Sequence, residues 1–194
     1  MNVIKKSYSG YQLFPLDAAL LLSRRMFLEG PITTESVGLV LKQLLFLEGE
    51  DETEPIRLFI NSPGGSVSAG LTLYWQLKAM TVPVDIIGIE LCASMAAILL
   101  AGGKPGHRAL LKGSRCMIHE PLLSSESGGI SGKATEIRQA ADSILKTKDM
   151  LDTLLAADTG HTLKEIRTAT SYDHFMTDQE ALDFRLVDTI IDRI

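Results

Sequence analysis

Three residues have the types that acyl transfer needs, and each follows a strand or sits in a turn: Ser94, His119 and Asp173. A serine hydroxyl is almost un-ionised near neutral pH, so an adjacent imidazole must take its proton. The imidazole needs a carboxylate to fix its tautomer and stabilise its cation. The oxyanion formed on attack needs preorganised N–H donors, for which Gly64-Gly65 and the Met95 amide are sources. Residue types alone say little, because a protein of this size always holds a serine, a histidine and an aspartate. His107, His161 and His174 compete for the base role. Ser94 reads equally as a helix N-cap, His119 as a hydrogen-bonded core histidine and Asp173 as a turn or cap residue. Cys92, two residues before Ser94, is a second conceivable nucleophile, and no other feature supports it.

The elements that must position these residues are legible around them. An apolar strand, 84–89, runs into a tight turn of small residues, and a short apolar helix starts near Ser94 and ends at Gly102-Gly103. The first amides of such a helix lack intrahelical partners and point toward whatever sits on the serine oxygen. Upstream, a strand over 56–60 is broken by Asn61-Ser62-Pro63-Gly64-Gly65-Ser66, and a helix follows over 67–80. Paired glycines allow positive φ and close approach of a ligand. Downstream come two short strands, near 108–111 and 114–119, then the polar stretch 122–132. A long helix over 133–158 has an apolar stripe at Ile137, Ala141, Ile144, Leu145, Leu151 and Leu155, and Gly160 stops it. Thr162-Leu163-Lys164-Glu165 and Thr177-Asp178-Gln179-Glu180 are capping boxes, and the turn carrying Asp173 lies between them.

Elsewhere, residues 1–14 read as a flexible arm around Gly10, and 15–25 as a helix with Pro15 in its first turn. Met26-Phe27-Leu28 is a short strand. Val37, Val40, Leu41, Leu44 and Leu45 give a helix over 33–48 its apolar stripe. The acidic run 48–54 is a solvated loop, and Leu186-Val187 and Ile190-Ile191 can dock on the core or on a neighbour. Alternating strands and helices predict a layered α/β fold with a largely parallel sheet and right-handed crossovers, in one domain spanning 1–194.

Composition removes several function classes. With 194 residues, 45% hydrophobic and 22% charged, the chain can bury a substantial core. A net charge of −5 with no basic run argues against nucleic acid as a partner. No apolar stretch reaches the roughly 18 residues of a membrane span. The N-terminal apolar run is interrupted by Pro15 and Asp17 and is not a signal peptide. Cys92 and Cys116 read as free buried thiols of a reducing, cytoplasmic compartment. No metal or cofactor motif is present; Gly102-Gly103-Lys104 lacks the spacing of a phosphate loop.

Four blocks carry a resemblance. Ile60-Asn61-Ser62-Pro63-Gly64-Gly65, Ala93-Ser94-Met95-Ala96-Ala97, Met117-Ile118-His119-Glu120-Pro121 and Asp173-His174-Phe175-Met176 resemble the ClpP family, the proteolytic subunits of ATP-dependent Clp proteases, in the same order over nearly the whole chain. The resemblance implies a serine peptidase with Ser94 as nucleophile, His119 as general base and Asp173 as orienting acid. It implies an oxyanion hole at the amides of Gly65 and Met95, and a substrate strand flanked by Ser66-Val67 and Pro121-Leu122-Leu123. It also implies a crotonase-like layered fold with stacked sheets, flanking helices and a protruding handle helix (handle region 122–160, axial arm 1–14). The expected assembly is a homo-oligomer of two stacked seven-membered rings, fed unfolded polypeptides by an AAA+ unfoldase.

The chain departs from the family pattern at several positions. The segment between Pro121 and Ala134 is longer than usual, Glu120 replaces a glutamine, Tyr172 an arginine and Ala169 an aspartate. Arg57 and Ala79 replace frequent aromatics of the docking cleft, where Phe59 is kept. These changes motivate one rival, a weakly active or structural ring subunit that needs a different partner. A second rival, a crotonase-like acyl-CoA enzyme, would need glutamates such as Glu90 or Glu120 beside the oxyanion amides.

Overall fold

A computed structural model describes residues 1–7, 10–122 and 132–194. The chain begins as a hairpin: β1 (Asn2–Ser7) pairs antiparallel with β2 (Gly10–Pro15), Asn2 facing Pro15 and Ser7 facing Gly10. This corrects the expectation of a flexible arm. Val3, Ile4, Tyr11 and Phe14 suit extended backbone, and Gly10 supplies a φ of 122°. Ile4, Tyr11 and Leu13 project from the hairpin and are exposed.

The next helix is shorter than 15–25. α1 (Leu16–Leu21) ends early, Arg24 turns the chain with φ 56°, and Arg25 already opens β3 (Arg25–Glu29). The cause is the Arg24 side chain, which is buried and donates to the carbonyls of Leu47 at 2.9 Å and Asp51 at 3.0 Å. Both lie at the end of α2 (Thr34–Glu50): the Leu47 carbonyl also accepts the Asp51 N–H at 3.2 Å, and the Asp51 carbonyl, just past the helix, has no intrahelical donor. The helix therefore includes Glu48–Glu50, and the acidic loop begins only at Asp51. Val37, Val40, Leu44 and Leu47 bury its inner face, whereas Leu45 is exposed.

The remaining elements are β4 (Ile56–Ser62), α3 (Val67–Ala79), β5 (Val84–Ala93), α4 (Met95–Ala101), β6 (Arg108–Leu111), β7 (Arg115–Ile118), α5 (Ala134–Thr159), α6 (Leu163–Ala169), β8 (His174–Thr177), α7 (Asp178–Asp183) and β9 (Thr189–Ile191). Strands β3-β4-β5-β6-β9 form a parallel run. Ile56, Leu58, Phe59 and Ile60 are all buried, as expected of a parallel strand covered on both faces. α4 is buried along its whole length, the property of a helix that is apolar all round.

The sheet forks at β5. Its first half, Ile86–Gly88, pairs with β6, and its second half, Leu91–Ala93, pairs with β7, which pairs antiparallel with β8. Glu90 makes the bend with φ 62°, its N–H donating to Ser114 Oγ at 2.9 Å. The β4–β5 register shifts between Ile60 and Ser62 at the same level. The fork sends β7 and β8 off the main run of the sheet and brings the ends of β4, β5 and β7 side by side, just before Gly64, Ser94 and His119.

α5 docks only by its C-terminal part. Leu151, Asp152, Leu155 and Thr159 are buried, and no residue between Ala134 and Met150 is. Ile137 and Leu145, part of the expected apolar stripe, are exposed. At about 1.5 Å per residue the helix is roughly 39 Å long, so most of it stands clear of the core. Gly160 ends it in the left-handed conformation, and both capping boxes form as expected.

Candidate active site

Ser94 joins β5 to α4 in a conformation that L side chains rarely adopt, φ 55° and ψ −123°. Such backbone costs on the order of 1–3 kcal/mol and persists only where surrounding bonds impose it. Here the Ser94 N–H donates to the Met117 carbonyl at 2.7 Å, and the Ser94 carbonyl accepts from Ala97 at 3.0 Å. Ser94 occupies the N-cap position of α4, yet its side chain makes no capping hydrogen bond. The hydroxyl points instead to His119, with Oγ 2.9 Å from Nε2.

His119 follows β7, and Asp173 precedes β8, the antiparallel partner of β7. Pairing of Ile118 with His174 therefore sets the two residues next to each other. His119 Nδ1 lies 2.9 Å from Asp173 Oδ1. The imidazole side chain is largely enclosed, 15% exposed, while the carboxylate is 66% exposed. Hydroxyl, imidazole and carboxylate thus stand in one hydrogen-bonded line. With Nδ1 protonated toward Asp173, Nε2 is free to accept the serine proton.

The glycine pair approaches from the end of β4. Gly64 is buried with φ 94°, its N–H donating to Ser62 Oγ at 3.1 Å. Gly65 has φ 147° and bridges to Ile32, and a Cβ there would collide with the Ile32 carbonyl. Among the described residues, neither the Gly65 nor the Met95 N–H donates to a protein acceptor. The Met95 side chain itself is buried and packs on Gly70.

Gly65, Ser66, Val67, Pro121 and Leu122 line an open cleft of about 490 Å³ with Ser94 and His119. Pro63, placed from the sequence in the turn after the 56–60 strand but not among the substrate-flanking residues, joins this wall. Leu123 lies outside the described residues.

The competing groups are elsewhere. His107 Nδ1 faces Asp85 at 2.7 Å, His161 Nε2 faces the Phe184 carbonyl at 3.2 Å, and the His174 ring packs on Tyr172 and Phe184. Cys92 and Cys116 are free and buried side by side on β5 and β7. Burial pushes the Cys116 thiol up to about 12; burial, and then the Cys116 charge, push Cys92 well above its ordinary value. Both thiols are protonated near neutral pH and closed to substrate. Glu90 accepts from Asn61 at 2.6 Å, and Glu120 pairs with Lys148 at 3.5 Å. Among the described residues no cluster of His, Cys, Asp and Glu could hold a metal, and no helix is long and apolar enough to cross a membrane.

One pair of residues behind the site escaped the sequence reading: Asp152 of α5, which is buried, and Thr170, whose Oγ1 donates to Asp152 Oδ1 at 3.0 Å. The available signal was a charged residue at a core-facing position between Leu151 and Leu155.

The Clp protease family model matches residues 9–194. That range takes in the forked sheet, α5 and every member of the Ser94–His119–Asp173 line, so the protein is a peptidase, and the chain belongs to the Clp protease family.

Proposed function

We propose that the chain is a serine endopeptidase that cleaves extended, unfolded polypeptides through an acyl-enzyme on Ser94. The observation that carries this reading is the line from Ser94 through His119 to Asp173, with 2.9 Å at each step, opening on the cleft. His119 Nε2 takes the Ser94 proton as Oγ attacks the scissile carbonyl, and Asp173 stabilises the imidazolium. The amides of Gly65 and Met95, free of protein acceptors among the described residues, receive the oxyanion. The C–N bond then breaks and His119 returns the proton to the leaving amine. A water enters, gives a proton to His119 and attacks the acyl carbon; Ser94 leaves with that proton. This chemistry uses no cofactor.

Substrate lies extended between Ser66-Val67 and Pro121-Leu122-Leu123, pairing through its backbone as an added strand. Such pairing gives little side-chain selectivity, as general degradation of unfolded chains requires. Exposed Ile137, Leu145 and Met150 on the projecting α5 support a handle, region 122–160, that joins two stacked rings of seven identical subunits. Exposed Ile4, Tyr11 and Leu13 support an axial role for the arm, residues 1–14. A separate cavity of about 300 Å³, floored by Phe59, Ile87 and Ala109, suits docking of an AAA+ unfoldase in the cytoplasm. The whole chain, 1–194, acts as one peptidase domain.

The test is hydrolysis of short fluorogenic peptides by the purified chain and its Ser94→Ala variant, with particle size read on the same samples. Hydrolysis by a ring-sized particle, lost on Ser94→Ala, is expected. Undiminished hydrolysis by Ser94→Ala, or none from a complete double ring, contradicts the proposal.

A further inference from the structure

Asp173 is exposed, and among the described residues its only hydrogen bond is to His119. Packing does not hold this carboxylate in place; the backbone of its turn must. That turn begins at Thr170, which is 1% exposed and bonded in three ways. Its N–H donates to the Ile166 carbonyl at 2.8 Å, and its carbonyl accepts the N–H of Glu120 at 2.8 Å. Its hydroxyl lies 3.0 Å from both Asp152 Oδ1 and the Ile166 carbonyl. The hydroxyl has one proton, and the charged oxygen is the stronger acceptor. Thr170 therefore ties three things together: α5 through its hydroxyl, the residue after His119 through its carbonyl, and Asp173 three residues along its own chain.

Asp152 is 2% exposed, and its second oxygen accepts from Lys148 at 2.9 Å. Lys148 Nζ also stands 3.5 Å from Glu120 Oε2, and Arg167 Nε 3.9 Å from Asp152 Oδ2. A buried ion pair contributes little net stability compared with an apolar pair of the same volume, because both charges lose water. It does fix direction, since a buried carboxylate needs its partners at hydrogen-bonding distance.

We infer that Thr170, oriented by Asp152 of α5, is a positioning residue that holds the Asp173 turn against His119. The inference rests on the proposed roles of Ser94, His119 and Asp173. It makes the buried end of the projecting helix a determinant of how well the acid meets the base.

The experiment is steady-state hydrolysis of a short fluorogenic peptide by the full chain, with thermal midpoint and particle size measured for each variant. Thr170→Val keeps shape and removes the hydroxyl. Displacing a reacting group by about an ångström costs up to about 100-fold, so kcat falls roughly 10- to 100-fold with KM within about threefold. Thr170→Ser restores the hydroxyl and returns kcat to within about threefold of wild type, which a merely space-filling role would not do. Asp152→Asn keeps an acceptor oxygen but loses its charge, and lowers kcat about three- to tenfold at unchanged KM. Folded Thr170→Val with kcat within about twofold of wild type overturns the inference. Should Thr170→Val fail to fold, Asp152→Asn decides by the same comparison. Ser94→Ala separates the two levels. If it abolishes hydrolysis while the Thr170 and Asp152 variants keep kcat, only the positioning role falls; if hydrolysis survives it, the reading of the site falls too.

Discussion

Gly64 and Ser94 are packed so closely that no side chain fits between them. A Cβ at Gly64 would stand 2.7 Å from Ser94 Cβ, 2.8 Å from the Ala93 carbonyl oxygen and 3.1 Å from the Met95 nitrogen. The glycine-rich turn after β4 is therefore part of the mould that keeps Ser94 in its unusual backbone conformation. Gly64→Ala meets two obstacles, this contact and a φ of 94°. The backbone term alone costs about 1–3 kcal/mol. Relief by moving Ser94 away from His119 lowers kcat/KM by about 100-fold. Peptide hydrolysis beside a thermal melt checks both effects, and an active, equally stable Gly64→Ala refutes the packing argument.

The exposure of Asp173 bears on the size of its contribution. Asp173→Asn removes the carboxylate that selects the His119 tautomer while keeping the volume. Loss of a triad carboxylate lowers kcat by up to about 10⁴-fold, and a solvated one belongs at the lower end, near 100-fold. His119→Ala removes the proton acceptor and falls further. Equal kcat for wild type and Asp173→Asn would remove Asp173 from the mechanism.

Acid stability turns on a pair far from Ser94. Arg108, 6% exposed, grips Asp188 through Nη2 at 2.5 Å and Nε at 3.0 Å, and Asp188 also accepts from the Gly106 N–H at 2.8 Å. Burial works against the charged form, but the hydrogen bonds and charge of Arg108 outweigh it and hold the carboxyl below its ordinary value. A depressed folded-state value means that this stabilisation is complete above about pH 4 and is lost as pH falls through the folded value. Asp188→Asn at pH 7 costs about 1–3 kcal/mol. The gap between the melting midpoints of Asp188→Asn and wild type narrows below about pH 4, and a gap independent of pH would contradict the assignment.

The thiols are inert in the folded chain. Cys92 and Cys116 are fully buried, and burial disfavours their thiolate forms, raising the pH at which they ionise. Iodoacetamide at pH 8 leaves both unmodified and hydrolysis intact, and labels both after denaturation. Cys92→Ala keeps kcat within about threefold, its effect being loss of a small buried group. Rapid native labelling that abolishes hydrolysis would return Cys92 to consideration as nucleophile.

The sequence made the strand–turn–helix around Ser94 legible because its period, its small residues and its glycines each act locally. The capping boxes at Thr162 and Thr177 are local for the same reason. The fork in the sheet was not legible: it depends on positive φ at Glu90, an unremarkable residue in an apolar strand, and on a hydroxyl from Ser114 that arrives through the fold. The early stop of α1 likewise comes from Arg24 reaching the end of α2, a contact between residues 23 apart. Tertiary satisfaction of helix carbonyls overrode the local helical pattern there. The N-terminal hairpin was hidden by polar residues that mask its pairing. The meeting of Ser94, His119 and Asp173 followed from no spacing, since β7–β8 pairing brings together residues 54 apart. The link from Asp152 to Thr170 is a tertiary contact of the same kind.

The most direct measurement is to treat the purified chain with a serine-reactive organophosphonate and locate the adduct by peptide mass mapping while following hydrolysis. The account predicts one adduct, on Ser94, formed in step with loss of activity and absent from His119→Ala. Hydrolysis that persists with Ser94 fully modified would contradict it.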